Sequence, residues 1–199
     1  MGVNPYLSEN ERAVLESARV GVAGLGGLGS NVLCHLARAG ARRFVAADFD
    51  VVAASNLNRQ FYFADQVGMK KVEALAANLR RIDPELELDF RDLRLTAENL
   101  PGFFAGCDVV VEAFDQAEAK AMLIGAMAKT GVPVVAASGL AGFGESNAIR
   151  LRQVNDQLYI VGDLTRGVGA GLAPASPRVG IAAAMEANAV VAILLGIGV

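Results

Sequence analysis

Apolar positions along the chain follow two periods. Residues 19–24, 43–48, 107–113 and 132–137 are short, nearly unbroken apolar runs of strand length, the pattern of strands buried on both faces. Between them apolar positions recur every three or four residues. In 67–82, Val72, Leu75, Ala76 and Leu79 share one face while Lys70, Lys71, Glu73, Arg80 and Arg81 take the other. The spacing predicts a helix that stops before Asp83-Pro84, because the residue preceding a proline disfavours helical backbone. Helices are likewise expected over 7–18, with Ser8 as N-cap and Glu11 at the capping-box position, over 30–39, ended by Gly40, and over 116–130.

Residues 86–90 alternate Leu, Glu, Leu, Asp, Phe, as a half-buried strand does, and 148–151 with 157–161 suit a late hairpin. A glycine-rich turn is expected at 140–144. Segment 162–177 holds four glycines and two prolines without periodicity and reads as a mobile loop. Strand and helix alternate through most of the chain. The fold class expected is therefore α/β, a Rossmann-like, doubly wound, mainly parallel sheet with helices on both faces. No internal repeat or linker divides the 199 residues, so a single domain over 1–199 is expected.

Composition narrows the chemistry. Two cysteines and one histidine, Cys34, Cys107 and His35, supply no four-ligand zinc site, no disulfide framework and no C-x-x-C pair. Both cysteines are expected as small apolar core residues. A formal charge of −3 and a pI near 5.2 argue against nucleic acid as the main partner, which calls for a basic patch. Glycine at 22 of 199 and a mean hydropathy of +0.38 are in keeping with tight turns and buried strands. The apolar stretch 182–199 is interrupted by Glu186 and Asn188 and reads as a packed helix rather than a membrane span. Residues 1–7 lack the basic start and long apolar run of a signal peptide, so no membrane partner and a cytoplasmic location are expected.

Gly24-Leu25-Gly26-Gly27-Leu28-Gly29 forms a G-x-G-x-x-G turn between an expected strand and an expected helix. Glycine lets backbone approach phosphate oxygens, and the helix N-terminus offers N–H groups and the positive end of its dipole. Asp48 ends the next strand about 20 residues on, where an acid accepts from ribose hydroxyls. To that point a nicotinamide-dependent dehydrogenase fits equally well. Beyond it, Asp48-Phe49-Asp50-Val51-Val52-Ala53-Ala54-Ser55-Asn56-Leu57-Asn58-Arg59-Gln60 sets amides and a guanidinium next to the ribose position. Arg59 can fork onto phosphate oxygens, and Asn56 can contact them or anchor the loop. Lys70 and Lys71 put positive charge at a helix start, which costs stability unless an anion lies nearby. Phosphate contact and simple solvation are the two readings of Lys71. Asp115 follows a buried strand at the edge where open α/β sheets bind ligands. It either caps the next helix or, beside a triphosphate, holds Mg²⁺.

Gly24 to Ser30, Asp48 to Gln60, Gly68 to Lys71 and Asp115, in this order and spacing, resemble the ThiF/MoeB family, the bacterial relatives of ubiquitin-activating enzymes. The likeness extends through Ala136-Ala137-Ser138-Gly139 and Pro177-Arg178-Val179-Gly180-Ile181-Ala182-Ala183-Ala184-Met185, and is greatest to the short ThiF form. The resemblance implies a MgATP-dependent adenylyltransferase acting on a small ubiquitin-like sulfur carrier, ThiS-like and ending in Gly-Gly. Its C-terminal glycine carboxylate would become acyl-AMP with release of pyrophosphate, in thiamine thiazole biosynthesis or a related sulfur transfer. By the family pattern Gly24, Gly26, Gly27 and Gly29 form the nucleotide loop. Asp48 holds the ribose, within a binding set that also includes Asp50 and Gln60. Asn56, Arg59 and Lys71 take the phosphates, and Asp115 takes Mg²⁺. Arg12 is the nearest candidate for a family arginine that reaches the partner's site in a homodimer.

The chain departs from the family at Phe114-Asp115-Gln116, where MoeB-like proteins read Thr-Asp-Asn. No zinc is expected, and neither cysteine sits where a persulfide or thioester cysteine belongs, so the sulfur donor is expected to be another protein. Segment 162–177 is expected to order over the carrier's tail. Three rival readings use parts of the same pattern. A tRNA threonylcarbamoyladenosine dehydratase-like enzyme is disfavoured by the net negative charge. A NAD-dependent oxidoreductase leaves Ser55 to Gln60 and Lys71 without a role. A non-catalytic carrier-binding module requires that the turn at Asp115 hold no metal.

Overall fold

The computed structural model describes residues 4–167 and 171–199. Ser8 caps α1 (Glu9–Ser17): its N–H donates to Glu11 Oε2 at 2.8 Å and Glu11 N–H donates back to Ser8 Oγ at 3.3 Å, the reciprocal pair the spacing predicts. Then follow β1 (Arg19–Ala23), α2 (Gly27–Ala39) and β2 (Arg43–Asp48), with Gly40 closing α2 in the left-handed region. After α3 (Lys71–Arg80) come β3 (Glu87–Asp92), the short α4 (Leu100–Phe103), β4 (Val109–Glu112), α5 (Ala117–Met127) and β5 (Val134–Ala137). The chain ends with β6 (Arg150–Asn155), β7 (Leu158–Gly162) and α6 (Ser176–Leu195).

The strands form one sheet in the order β3-β2-β1-β4-β5-β7-β6, parallel except for the β6–β7 hairpin. Side chains alternate across it. Val109 and Val111 enter a core with Val20, Val22 and residues of α2, α3 and α6, whereas Val110 joins Phe104, Leu123 and Met127 from α4 and α5 on the other face. This is the expected doubly wound sheet with helices on both faces. From β1 the chain first moves out through β2 to β3, then crosses back to β4 on the other side of β1. That reversal lies at the carboxyl ends of β1 and β4, where such sheets bind ligands.

Several elements differ from expectation. α2 starts at Gly27 rather than 30, because the helix begins inside the glycine motif. α3 starts at Lys71 rather than 67: Gly68 takes φ +93°, and the residues before the helix pair with the segment after β2 instead, through Val52 N–H to Met69 O and Gly68 N–H to Val52 O, both 2.8 Å. β6 runs to Asn155, past the expected 151, since an edge strand can carry polar residues on exposed positions. The helix α4 was not expected; four residues give little periodicity to read.

Segment 162–177 is also more tied down than a mobile loop. Ala141 N–H donates to Arg166 O at 3.0 Å, Gly142 N–H to Ala173 O at 2.9 Å, and the last two positions already belong to α6. Buried Arg178 pairs with Asp163 and donates to Gly144 O at 2.6 Å. Residues 168–170 of that segment lie outside the described residues. α6 is the one described helix long and apolar enough to cross a membrane, with a mean hydropathy of 1.7 over its most apolar 18 residues, half of them buried. Ala182, Ala183, Ala187 and Val190 share the core with α2, as a packed helix requires.

Candidate active site

At the end of β1 the chain turns through Gly24 into α2. Gly24 has φ +94°, and a Cβ there would lie 3.0 Å from Ala113 O; at Gly29 a Cβ would lie 1.9 Å from Gly24 O. The turn closes onto itself and onto the end of β4 only with glycine at both places. Gly26 and Gly27 have neighbours of a different kind. A Cβ at Gly27 would come within 3.5 Å of Arg59 Cγ, and one at Gly26 within 3.9 Å of the Gln60 amide nitrogen. Gly26 is the N-cap of α2, makes no side-chain cap bond, and the first turn holds no acidic residue. The first N–H groups of α2 are therefore unclaimed by side chains at the positive end of its dipole.

The Leu25 peptide is clamped at both ends. Its N–H donates to Asp48 Oδ2 at 2.7 Å and its carbonyl accepts from Tyr62 Oη at 2.8 Å. Burial, with Asp48 and Asp50 nearby, pushes the Tyr62 phenol far up, so it stays a donor. Asp48 Oδ1 accepts from Asp50 N–H at 2.8 Å. Lys71 Nζ lies 2.8 Å from Asp50 Oδ2 and 3.8 Å from Asp48 Oδ2, with the lysine buried. The solvated reading of Lys71 is corrected: the ammonium is buried, and the anions at this helix start are the chain's own carboxylates. Lys70 is paired as well, 3.0 Å from Asp92.

Asn56 anchors the loop. Its Oδ1 accepts from Ala53 N–H at 3.0 Å and its carbonyl accepts from the N–H groups of Arg59 and Gln60 at 3.1 and 2.9 Å. Two α2 residues that sequence reasoning missed join this loop to the glycine turn. Asn31 Nδ2 donates to Gly27 O at 2.6 Å and Arg59 O at 2.8 Å; Ser30 Oγ donates to Gly26 O at 2.6 Å and accepts from Phe61 N–H at 3.0 Å. Their signal is the positions themselves, polar residues one turn into an apolar helix, Ser30 buried and Asn31 half-buried. Arg59 donates to Ser55 O and Asn58 Oδ1 and is partly exposed above Gly27. Gln60 is buried with Oε1 unpartnered.

Asp115 follows β4 in the turn that Gly24 touches, where a Gly24 Cβ would also meet Phe114 Cδ1 at 3.5 Å. It is exposed, and among the described residues its carboxylate joins no hydrogen bond or ion pair. Nor does it cap α5, whose N-cap is Gln116. The structure so brings together the glycine turn, Asp48, Asp50, Asn56, Arg59, Gln60, Lys71 and the Asp115 turn. It does not bring Arg12 to them. Arg12 lies on α1, whose C-terminal end is fixed at the amino ends of β1 and β2 by Glu16 to Arg42 at 3.5 Å and by Arg43 to Ser17 O at 3.2 Å; its Nε is buried and unpartnered. Cys107 is buried, which pushes its thiol up to about 11, as expected of a core cysteine; Cys34 is only half-buried.

Fold and site together define a Rossmann-like α/β protein with a glycine-rich turn at the reversal of its sheet. The chain belongs to the ThiF family, whose model matches residues 3–198. Among curated relatives it is 38% identical over 122 residues to the SAMP-activating enzyme E1 of Haloferax volcanii, covering 61% of this chain and 45% of that protein. It is 32% identical over 146 residues to the molybdopterin-synthase adenylyltransferase of Salmonella typhimurium, covering 73% and 58%. The chain spans about half the length of the curated relatives it matches. Its fold superposes on the crystal structure of Escherichia coli tRNA N6-threonylcarbamoyladenosine dehydratase in complex with ATP with a TM-score of 0.86 at 23% identity, covering 94% of this chain and 90% of that one.

Proposed function

We propose that this protein is an ATP-dependent adenylyltransferase that activates the C-terminal glycine carboxylate of a small ubiquitin-like sulfur carrier ending in Gly-Gly, in thiamine thiazole formation or a related sulfur transfer. The observation that carries the reading is the meeting of three features at the carboxyl ends of β1 and β4: an α2 N-terminus without a side-chain cap, the Arg59 stem over Gly27, and the unpaired Asp115 carboxylate on the turn against Gly24. The first two attract phosphate, and the third is out of place beside phosphate unless a cation joins them. The buried, unpartnered Gln60 Oε1 beside Gly26 is the kind of acceptor that a bound hydroxyl satisfies. The adenylyltransferase and SAMP-activating names of two relatives support the same chemistry.

The donor set at Asp115 fits Mg²⁺. Among the described residues no group of three or more His, Cys, Asp or Glu side chains is placed to hold a metal, which leaves one carboxylate plus phosphate and water, the usual way this ion is held on nucleotides. When bound, the ion neutralises phosphate charge. The chain's own residues do the rest. The N–H groups of α2 and the Arg59 guanidinium hold phosphate oxygens, Asp48 holds the ribose, and Lys71 reaches phosphate by releasing Asp50, whose side chain is half exposed. A carrier carboxylate oxygen attacks the α-phosphorus, the bond from that phosphorus to the bridging oxygen breaks, and pyrophosphate leaves. No side-chain nucleophile is needed; positioning and charge neutralisation lower the barrier. Arg12 acts on the site of a second copy in a homodimer.

Pyrophosphate exchange into ATP, with a Gly-Gly-ending ubiquitin-like protein from the same cells as substrate, tests the reading. Carrier-dependent exchange is expected. Exchange driven by tRNA instead, or none with any such carrier, overturns it.

A further inference from the structure

The turn that carries Asp115 has little of its own to hold it. Gln116 caps α5 without a side-chain bond, and Asp115 itself touches no polar partner. The brace comes from a residue three positions earlier, at the end of the strand. Glu112, the last residue of β4, is fully buried; one carboxylate oxygen accepts from Phe114 N–H at 2.7 Å and the other accepts from Lys120 Nζ at 2.9 Å. Lys120 sits in the first turns of α5, where its own N–H donates to Gln116 O at 3.1 Å. A single carboxylate thereby ties the strand end to the turn backbone before Asp115 and to the helix after it.

This is a costly device for a strand that otherwise reads Val109-Val110-Val111. A buried ion pair is seldom more stabilising than the apolar residues that could replace it, so its presence asks for a role in geometry. The remaining carboxyl near the pair, Glu186 on α6, has both oxygens buried and unpartnered, and burial together with Glu112 pushes its pKa well up. Burial raises Glu112 as well, opposed by Lys120 and the Phe114 N–H, the two donors that hold its carboxyl in one arrangement. We propose that Glu112 and Lys120 are positioning residues that fix the β4–α5 turn so that Asp115 meets the cation carried by ATP. This rests on the adenylyltransferase reading, in which Asp115 holds Mg²⁺; neither Glu112 nor Lys120 touches the nucleotide in it.

The test uses the full chain with Mn²⁺ in place of Mg²⁺, followed by electron paramagnetic resonance in the presence of a non-hydrolysable ATP analogue, with metal-free nucleotide affinity measured separately in EDTA. Glu112→Gln and Lys120→Met are expected to weaken Mn²⁺ binding to the nucleotide complex about 10-fold or more, the usual effect of losing a residue that orients a metal ligand. Metal-free affinity is expected to hold, and Lys120→Arg to recover most of the loss. Should Glu112→Gln fail to fold, the Lys120 pair of variants on the half-exposed helix carries the test alone. Variants that lower the melting temperature but bind Mn²⁺ as the wild type does show a merely structural pair and overturn the proposal. If Asp115→Ala also binds Mn²⁺ as the wild type does, it is the metal reading of Asp115 that has failed, and the positioning role falls with it.

Discussion

Lys71 Nζ lies 2.8 Å from Asp50 Oδ2, so the charge at the start of α3 is balanced within the chain. The ammonium is buried while Asp50 is half exposed, which makes Asp50 the partner able to yield. In Asp50→Asn, Lys71 is released toward phosphate, and ATP affinity should hold or rise. In Lys71→Met, affinity should fall about 10-fold or more with the loss of a charge-assisted contact. The fold should also lose about 1–3 kcal/mol, less than for a wholly buried pair because Asp50 meets solvent. Calorimetric ATP titrations and urea melts of both variants check this. Equal weakening by both substitutions would mean that the pair is purely structural.

Asp115 is exposed and unpaired, so replacing it should leave the fold alone. Asp115→Asn is expected to melt at the wild-type temperature, to bind ATP in EDTA normally, and to lose about 100-fold in carrier-dependent pyrophosphate exchange. Wild-type exchange in this variant would remove the metal from the account.

Gly29 has no space for a side chain, with a Cβ 1.9 Å from Gly24 O. Gly29→Ala should force the phosphate turn open, at a cost of about 1–3 kcal/mol or more from overpacking against backbone, with loss of ATP binding at temperatures where the variant is still folded. Gly68→Ala is the contrast. Its φ of +93° strains any side chain but no atom lies within 4 Å, so stability should fall without a specific loss of nucleotide affinity.

Much of this arrangement is legible in the sequence. Gly24 to Gly29 and Asp48 announce themselves because backbone chemistry demands glycine and an acid at set distances from a strand. The capping box at Ser8 and Glu11 is equally local. What the sequence hid depends on pairing across the fold. Nothing near Lys71 in the chain says that its anion is Asp50, 21 positions away; Asn31, Ser30 and Tyr62 act on backbone 28 to 37 residues distant. Glu112 looked like the end of an apolar strand, and only the approach of Lys120 from α5 shows its use. The start of α3 was misplaced because Gly68 turns the chain where side-chain periodicity alone runs on.

Glu186 gives the fold a signature in pH. Burial, reinforced by Glu112, raises its pKa well above the ordinary 4.5, so the folded state binds a proton that the unfolded chain releases. For an acid shifted upward the contribution is fully present below about pH 4.5 and is lost as pH rises toward the folded-state value, by up to about 1.4 kcal/mol per pH unit. Glu186→Gln carries no such proton. The stability difference between this variant and the wild type should grow in the variant's favour as pH increases above 4.5, read from urea melts at several pH values. A constant difference would show that Glu186 is not titrating in the fold.

In the proposed reaction a carrier carboxylate becomes an acyl adenylate at the carboxyl ends of β1 and β4. Intact-protein mass spectrometry of a Gly-Gly-ending carrier, incubated with this protein and MgATP and quenched in acid, reads that intermediate directly. A carrier bearing one AMP on its last residue is expected, absent when the final glycine is deleted or when Asp115→Ala replaces the wild type. An unmodified carrier with ATP consumed, or AMP found on another residue, would contradict it.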